Sequence, residues 1–267
     1  MSKEILRAAL RARPRRSCLY VPGTNARALA KARAGAIRAD SFIFDLEDAV
    51  AASAKGEARE NVATLLGEWD DDGEENPGSA VNAVRRERIV RVNGLDTPWG
   101  LDDLHMVSTM AGAVDTVAVP KVECAADVWR VERHLDEFGK ASSAGASSLG
   151  LALMIETPKG VLRAAEIAAA SENVVCLIMG TSDLTNELRA QHTPGREPML
   201  ASLGLCVLAA RAHGVQVRHL LFLFVSHFCL SLFLSKINLI LILMCMYASL
   251  FSFHFPPFPR SFLRSPI

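Results

Sequence analysis

The chain has 267 residues, the size of about one (β/α)8 barrel, with 29 basic and 29 acidic side chains and a formal net charge of 0. That balance argues against a polyanion-binding surface, so no nucleic-acid partner is expected. The six cysteines, at 18, 124, 176, 206, 229 and 245, form no CxxC pair, and they read as reduced thiols rather than a disulfide framework or a zinc site.

Residues 1–15 are a basic arm, in which Lys3, Arg7, Arg11, Arg13 and Arg15 are opposed by Glu4 alone. An Arg-rich, acid-poor start suits a mitochondrial transit peptide, and a solvated helical arm equally well. The expected location is mitochondrial or cytoplasmic. SCLYV, residues 17–21, reads as the first strand, PGTN as a turn, and 26–34 as a helix. Arg27 and Lys31 are four apart and share one face of that helix. Such a pair can hold phosphates or be an ordinary solvated face.

SFIF, residues 41–44, is the second strand and runs into Asp45, Leu46, Glu47 and Asp48. Acids at a strand's carboxyl end mark a site in a barrel, although Asp45 or Asp48 could instead cap the helix expected over 53–66. Residues 69–80 carry DDDGEENPG and read as a solvated insertion. RIVRV, residues 88–92, is the third strand. Alternation puts Ile89, Arg91 and Asn93 on one face, with Val90 and Val92 on the other. An arginine within a barrel strand must be paired or face the site, and its rigid fork suits a carboxylate. The fourth strand, 115–119, leads into Pro120 and Lys121, with Lys121 at a site-facing position. A helix over 125–138 and an Ala/Ser/Gly linker over 139–148 follow.

Residues 149–184 hold two apolar strands, LGLALMI and NVVCLIM, each followed by a carboxylate: Glu156 after the first, Asp183 after the second. Continuous apolar strands suit a parallel sheet buried on both faces. Between them Thr157 is a good N-cap, Pro158 a good first helical residue, and 161–170 helix-permissive. Consecutive parallel strands place both acids at the carboxyl edge, where α/β folds keep their sites. Two acids there can share a hard divalent cation, Mg²⁺ first, or be unrelated loop acids. Residues 186–198 read as loop and 199–212 as a helix stopped by Gly214.

From Arg218 the composition changes. Nine of the chain's 12 Phe lie in 218–267, no Asp or Glu follows Glu197, and no Gly follows Gly214. The expected organisation is therefore a partial barrel of about six β/α units over 16–216, followed by a hydrophobic tail over 217–267. The two apolar runs of the tail have about the minimum length for spanning helices, so membrane association through them is one reading. The other is translated non-coding sequence, from a retained intron or a wrong gene model; a splice-donor-like sequence can encode Gln216, Val217 and Arg218.

RRSCLYVPGTN, FIFDLEDAV, RIVRVNG, VAVPKVE, MIETPKG and MGTSDL together resemble the HpcH/HpaI aldolase and citrate lyase β-subunit family, over about 15–215. The resemblance implies a TIM-like (β/α)8 barrel, here truncated after about six units. It also implies Mg²⁺-dependent cleavage of a carbon–carbon bond in 3-hydroxy-acyl-CoA thioesters of the malyl- or citramalyl-CoA type. The partners implied are acyl-CoA, a 2-oxo acid and further copies of the chain, as a trimer or hexamer. By position, Glu156 and Asp183 match the metal ligands and Arg91 the arginine that grips the oxo acid. Glu47 matches the supporting acidic motif and Tyr20 a ligand-contacting tyrosine. Arg27 and Lys31 match residues that reach coenzyme A, and Lys121 also matches. The family's lid acid should follow Val215, where this chain has no carboxylate. The chain as written is therefore expected to be inactive, and insoluble or membrane-associated; a membrane-anchored pseudoenzyme or regulatory binding protein is the competing expectation.

Overall fold

The computed structural model describes residues 3–37, 39–69, 86–110, 112–141 and 149–219. Seven strands pair in chain order, every pair parallel: β1 (Cys18–Pro22), β2 (Ser41–Asp45), β3 (Glu87–Arg91), β4 (Thr116–Val119), β5 (Gly150–Ile155), β6 (Val174–Met179) and β7 (Gln216–His219). The helices are α1 (Lys3–Ala12), α2 (Ala26–Arg33), α3 (Lys55–Gly67), α4 (Gly100–Thr109), α5 (Ala125–Ala141), α6 (Pro158–Leu162), α7 (Ala164–Ala169), α8 (Thr181–Glu187) and α9 (Leu200–Ala212). Parallel pairing in sequence order, with helices in the crossovers, is the TIM-like α/β fold.

Strand alternation sorts the core into two layers. Phe42, Phe44, Val90, Val117, Leu151, Leu153 and Leu177 form one cluster with helix residues such as Leu29, Val62, Leu104, Val128 and Ile167. Ile43, Ile89, Ala118, Ala152, Met154 and Ile178 form the other, on the opposite sheet face, with Leu10 of α1. Burying each large apolar side chain contributes about 1.5–3 kcal/mol, so packing on both faces stabilises the sheet. On β6 a register shift opposite Leu151 and Ala152 turns both Val175 and Cys176 to the inner cluster.

The amino-terminal arm is not a solvated helix. Leu10 is buried, Arg7 pairs with Glu172 at 2.6 Å, and Arg11 donates to the carbonyls of Val174 and Glu172. Arg15 is fully buried against Glu87, with Nε–Oε2 at 2.6 Å and Nη2–Oε1 at 2.5 Å, and Glu87 also accepts from Ser41 and Thr116. Arg15 Nη1 donates to Gln216 of β7, whose amide donates back to the carbonyls of Arg11 and Arg13.

That seventh strand exceeds the six expected. It runs through Gln216, Val217, Arg218 and His219, into residues the composition had assigned to the tail. Four residues of which only Val217 is apolar leave too little apolar signal to stand out. Neither Asp45 nor Asp48 caps α3, whose N-cap position is Ala54 with no side-chain bond. The Thr157 cap forms as expected, its hydroxyl accepting from Gly160 N at 3.1 Å, but the helix behind it divides into α6 and α7. Gly214 has φ +65°, as a left-handed stop requires. The acidic insertion beyond Trp69, most of the 139–148 linker and the apolar runs of the tail lie outside the described residues. No helix among the described residues is long and apolar enough to cross a membrane.

Candidate active site

Asp45 ends β2 and Arg91 ends β3, in direct register. Alternation points both to the inner face with Ile43 and Ile89. Arg91 Nε and Nη2 donate to the two Asp45 oxygens at 2.7 and 2.6 Å, a two-pronged pair with both side chains buried. Arg91 Nη1 lies 2.8 Å from Glu47 Oε2 and 3.4 Å from Asp48 Oδ2, and the guanidinium sits 5.1 Å from the Tyr20 ring centroid. Burial works against the arginine's charge, but the Asp45 bonds and the neighbouring acids outweigh it and raise its pKa. Asp45 also accepts from Glu47 N and Ala49 N, so it holds the turn that carries Glu47.

Glu47 has a second cation, Lys121, whose Nζ donates to Oε1 at 3.0 Å. Its backbone is held from behind by Lys55, a buried ammonium that donates to the carbonyls of Leu46 and Glu47 and to Asn93 Oδ1, at 2.7–2.8 Å. Asn93 donates in turn to Leu46 O and to Asp103, which Arg59 anchors. Burial lowers the Lys55 pKa, and three acceptors at these distances satisfy all three of its N–H donors.

Glu156 follows β5 directly and is 2 % exposed. Its Oε2 accepts from Lys121 N at 2.9 Å, and Lys121 makes that bond from a left-handed backbone, φ +52°. Burial, helped by the negative charges of Glu47 and Asp183, pushes the Glu156 carboxyl up to about 7. Asp183 lies in the first turn of α8, one strand over and half-buried. Gly180 leaves room for this arrangement: a Cβ there would stand 2.3 Å from Glu156 Oε1.

The carboxyl edge thus gathers five carboxylates, Asp45, Glu47, Asp48, Glu156 and Asp183, against three cations, Lys55, Arg91 and Lys121. The excess is negative, and a buried carboxylate with two acidic neighbours is a group that a divalent cation would relieve. All its donors are oxygens, which fits Mg²⁺; that ion keeps several waters and needs only one or two protein carboxylates. No group of three or more His, Cys, Asp or Glu side chains placed to hold a metal ion occurs among the described residues.

The structure brings together Tyr20, Glu47, Arg91 and Lys121, and sets Glu156 and Asp183 beside them. Arg27 and Lys31 are exposed on α2. Two grooves among the described residues, of about 570 Å³ beside Leu29 and Asn61 and about 270 Å³ beside Arg7 and Glu132, are lined by none of these side chains. Lys55 was missed from the sequence, because a lysine at the start of a helix signals a solvated face. Asp45 was seen but left open as a cap; its inward parity with Ile43 is the signal that places it.

The HpcH/HpaI aldolase/citrate lyase family profile matches residues 16–227. The chain is 44% identical over 209 residues to a (3S)-malyl-CoA thioesterase of Cereibacter sphaeroides, covering 78% of this chain and 64% of that one. It is 37% identical over 206 residues to the citrate lyase subunit beta of Escherichia coli, covering 76% and 62%. The chain therefore spans less than two thirds of these relatives' length. Among solved structures, a citrate lyase beta subunit from M. tuberculosis complexed with oxaloacetate and magnesium matches with TM-score 0.59 and 27% identity, over 81% of this chain and 82% of that one. The Mycobacterium tuberculosis protein CitE in complex with magnesium, acetoacetate and coenzyme A matches with TM-score 0.58 and 25% identity, over 80% and 68%.

Proposed function

The chain belongs to the HpcH/HpaI aldolase/citrate lyase family, and from that premise we propose a Mg²⁺-dependent carbon–carbon lyase. Its substrate would be a 3-hydroxy-acyl-CoA thioester of the malyl- or citramalyl-CoA type, and its products a 2-oxo acid and an acyl-CoA. The observation that carries the proposal is the buried Glu156 carboxylate, with its raised pKa, near Asp183 in the first turn of α8, beyond the neighbouring strand. Related structures complexed with oxaloacetate and magnesium, and with magnesium, acetoacetate and coenzyme A, support it.

In this reading Glu156 and Asp183 hold the cation, with Lys121 N fixing one Glu156 oxygen. Once bound, Mg²⁺ supplies Lewis acidity toward a substrate oxygen. Arg91 keeps its Asp45 and Glu47 pairs and offers to the substrate carboxylate the side of Nη1 that Asp48 meets at only 3.4 Å. Tyr20 flanks the guanidinium with its ring. Arg27 and Lys31 reach the phosphates of coenzyme A. Glu47 positions Arg91 and Lys121 between them. Cleavage also needs an acceptor for the hydroxyl proton. No Asp or Glu follows Glu197, so residues 198–267 provide no carboxylate for it, and turnover by residues 1–267 alone should be low.

Thioester hydrolysis is a second reading, favoured by the name of the 44% identical relative. One assay separates the two: malyl-CoA and citramalyl-CoA are supplied with Mg²⁺ or with chelator, and glyoxylate, pyruvate, free malate and free CoA are followed. An oxo acid without free malate supports the lyase, and free CoA with malate the hydrolase. Neither binding nor turnover of either thioester would overturn both.

A further inference from the structure

The three cations at the carboxyl edge are not equally available. Arg91 is 2 % exposed, with its Nε/Nη2 fork on Asp45. Lys55 is buried and saturated by three oxygens. The Lys121 side chain is 53 % exposed, and among the described residues only one of its three N–H donors has an acceptor within hydrogen-bond distance, Glu47 Oε1 at 3.0 Å.

Asp48 sits between the exposed and the buried cation. Its Oδ2 lies 3.4 Å from Arg91 Nη1 and its Oδ1 4.0 Å from Lys121 Nζ, and its side chain is 54 % exposed. One carboxylate therefore spans an arginine and a lysine, loosely, at the open side of the site. Exposed, long contacts of this kind are worth little and exchange readily. Glu47, by contrast, is 9 % exposed and grips the same two cations at 2.8 and 3.0 Å.

On the lyase or hydrolase reading above, we infer that Lys121 Nζ and Arg91 Nη1 form the subsite for the substrate's free carboxylate, and that Asp48 occupies this subsite when no substrate is bound. The incoming carboxylate takes the two cations, and Asp48 turns out to water. Glu47 stays and keeps the two cations at the right separation. The left-handed backbone at Lys121 fits this role. It lets one residue give its N–H to Glu156 and its ammonium to the neighbouring subsite, and an L residue adopts that conformation at a cost only where the surroundings demand it.

The test uses the full chain, pyruvate and glyoxylate with MgCl₂, calorimetry, and lysine acylation read by mass spectrometry. Pyruvate should protect Lys121 from acylation. Lys121→Met should weaken pyruvate about tenfold or more, since a charge-assisted hydrogen bond is lost, and Lys121→Arg should restore much of the loss. Asp48→Asn should tighten pyruvate severalfold by removing the competitor. Both side chains are more than half exposed, so neither variant threatens the fold. Pyruvate binding that leaves Lys121 reactive, and Lys121→Met affinity unchanged, would overturn the subsite while leaving the family reading standing. Unchanged or weaker affinity in Asp48→Asn would overturn the placeholder. If neither oxo acid binds the wild-type chain, the proposed function fails and this subsite with it.

Discussion

Arg91 and Asp45 meet edge to edge through two hydrogen bonds of 2.7 and 2.6 Å, on adjacent parallel strands and out of contact with water. The pair ties β2 to β3 at the carboxyl edge and fixes the direction of the guanidinium. Asp45→Asn should therefore be costly, because it leaves a buried arginine without its counter-charge. A loss of about 3–5 kcal/mol is expected, read as the shift in urea-unfolding free energy. A loss below about 1 kcal/mol would mean that Glu47 and Asp48 suffice to hold Arg91.

Glu156 makes the metal-free protein sensitive to pH in an unusual direction. Its folded pKa, about 7, lies above the ordinary 4.5, so the native chain keeps a proton that the unfolded chain releases. Stability from this residue is present below about 4.5 and is lost as the pH rises toward 7; the full span is roughly 3 kcal/mol. Urea titrations in chelator at pH 5 and 7 should show the fall, and Glu156→Gln should flatten it. An unchanged slope in that variant would place the proton elsewhere.

Gly180 is needed for space and not for backbone freedom, since its φ is −79°. A Cβ would lie 2.3 Å from Glu156 Oε1 and 2.5 Å from its Cγ. Gly180→Ala should push the carboxylate off its place, destabilise the protein by about 1–3 kcal/mol, and abolish any rise in Tm on adding Mg²⁺. A Mg²⁺-dependent rise equal to wild type would show that Glu156 does not hold the ion.

Arg15 tests whether the basic arm is structural. Its guanidinium is buried against Glu87, and Glu87 already takes Ser41 and Thr116. Arg15→Met leaves that carboxylate buried without its cation and should cost about 3–5 kcal/mol. Arg16→Met breaks a pair with Asp40 in which the arginine is 81 % exposed, and should cost less than about 1 kcal/mol. Equal effects of the two would contradict the docking of the arm.

Local chemistry made much of this protein legible from its sequence. Apolar runs located six strands, and period-two alternation put Ile89 and Arg91 on one face. Thr157 and Pro158 announced a helix start, Gly214 its stop, and Glu156 and Asp183 the carboxyl edge. Each of these depends on neighbours within a few residues, which the sequence contains. The remainder depended on contacts between distant segments. The Arg91 fork is spent on Asp45 because β2 and β3 pair in one register, 46 residues apart. Arg15 is buried because it meets Glu87 and Gln216, 72 and 201 residues away. β7 becomes a strand because β6 offers it an edge, four residues being too few to declare one. Lys55 is interior because two carbonyls of another loop and Asn93 Oδ1 satisfy its three donors. An ionisable side chain reads as solvated until its partner is known, and only the tertiary structure supplied the partners.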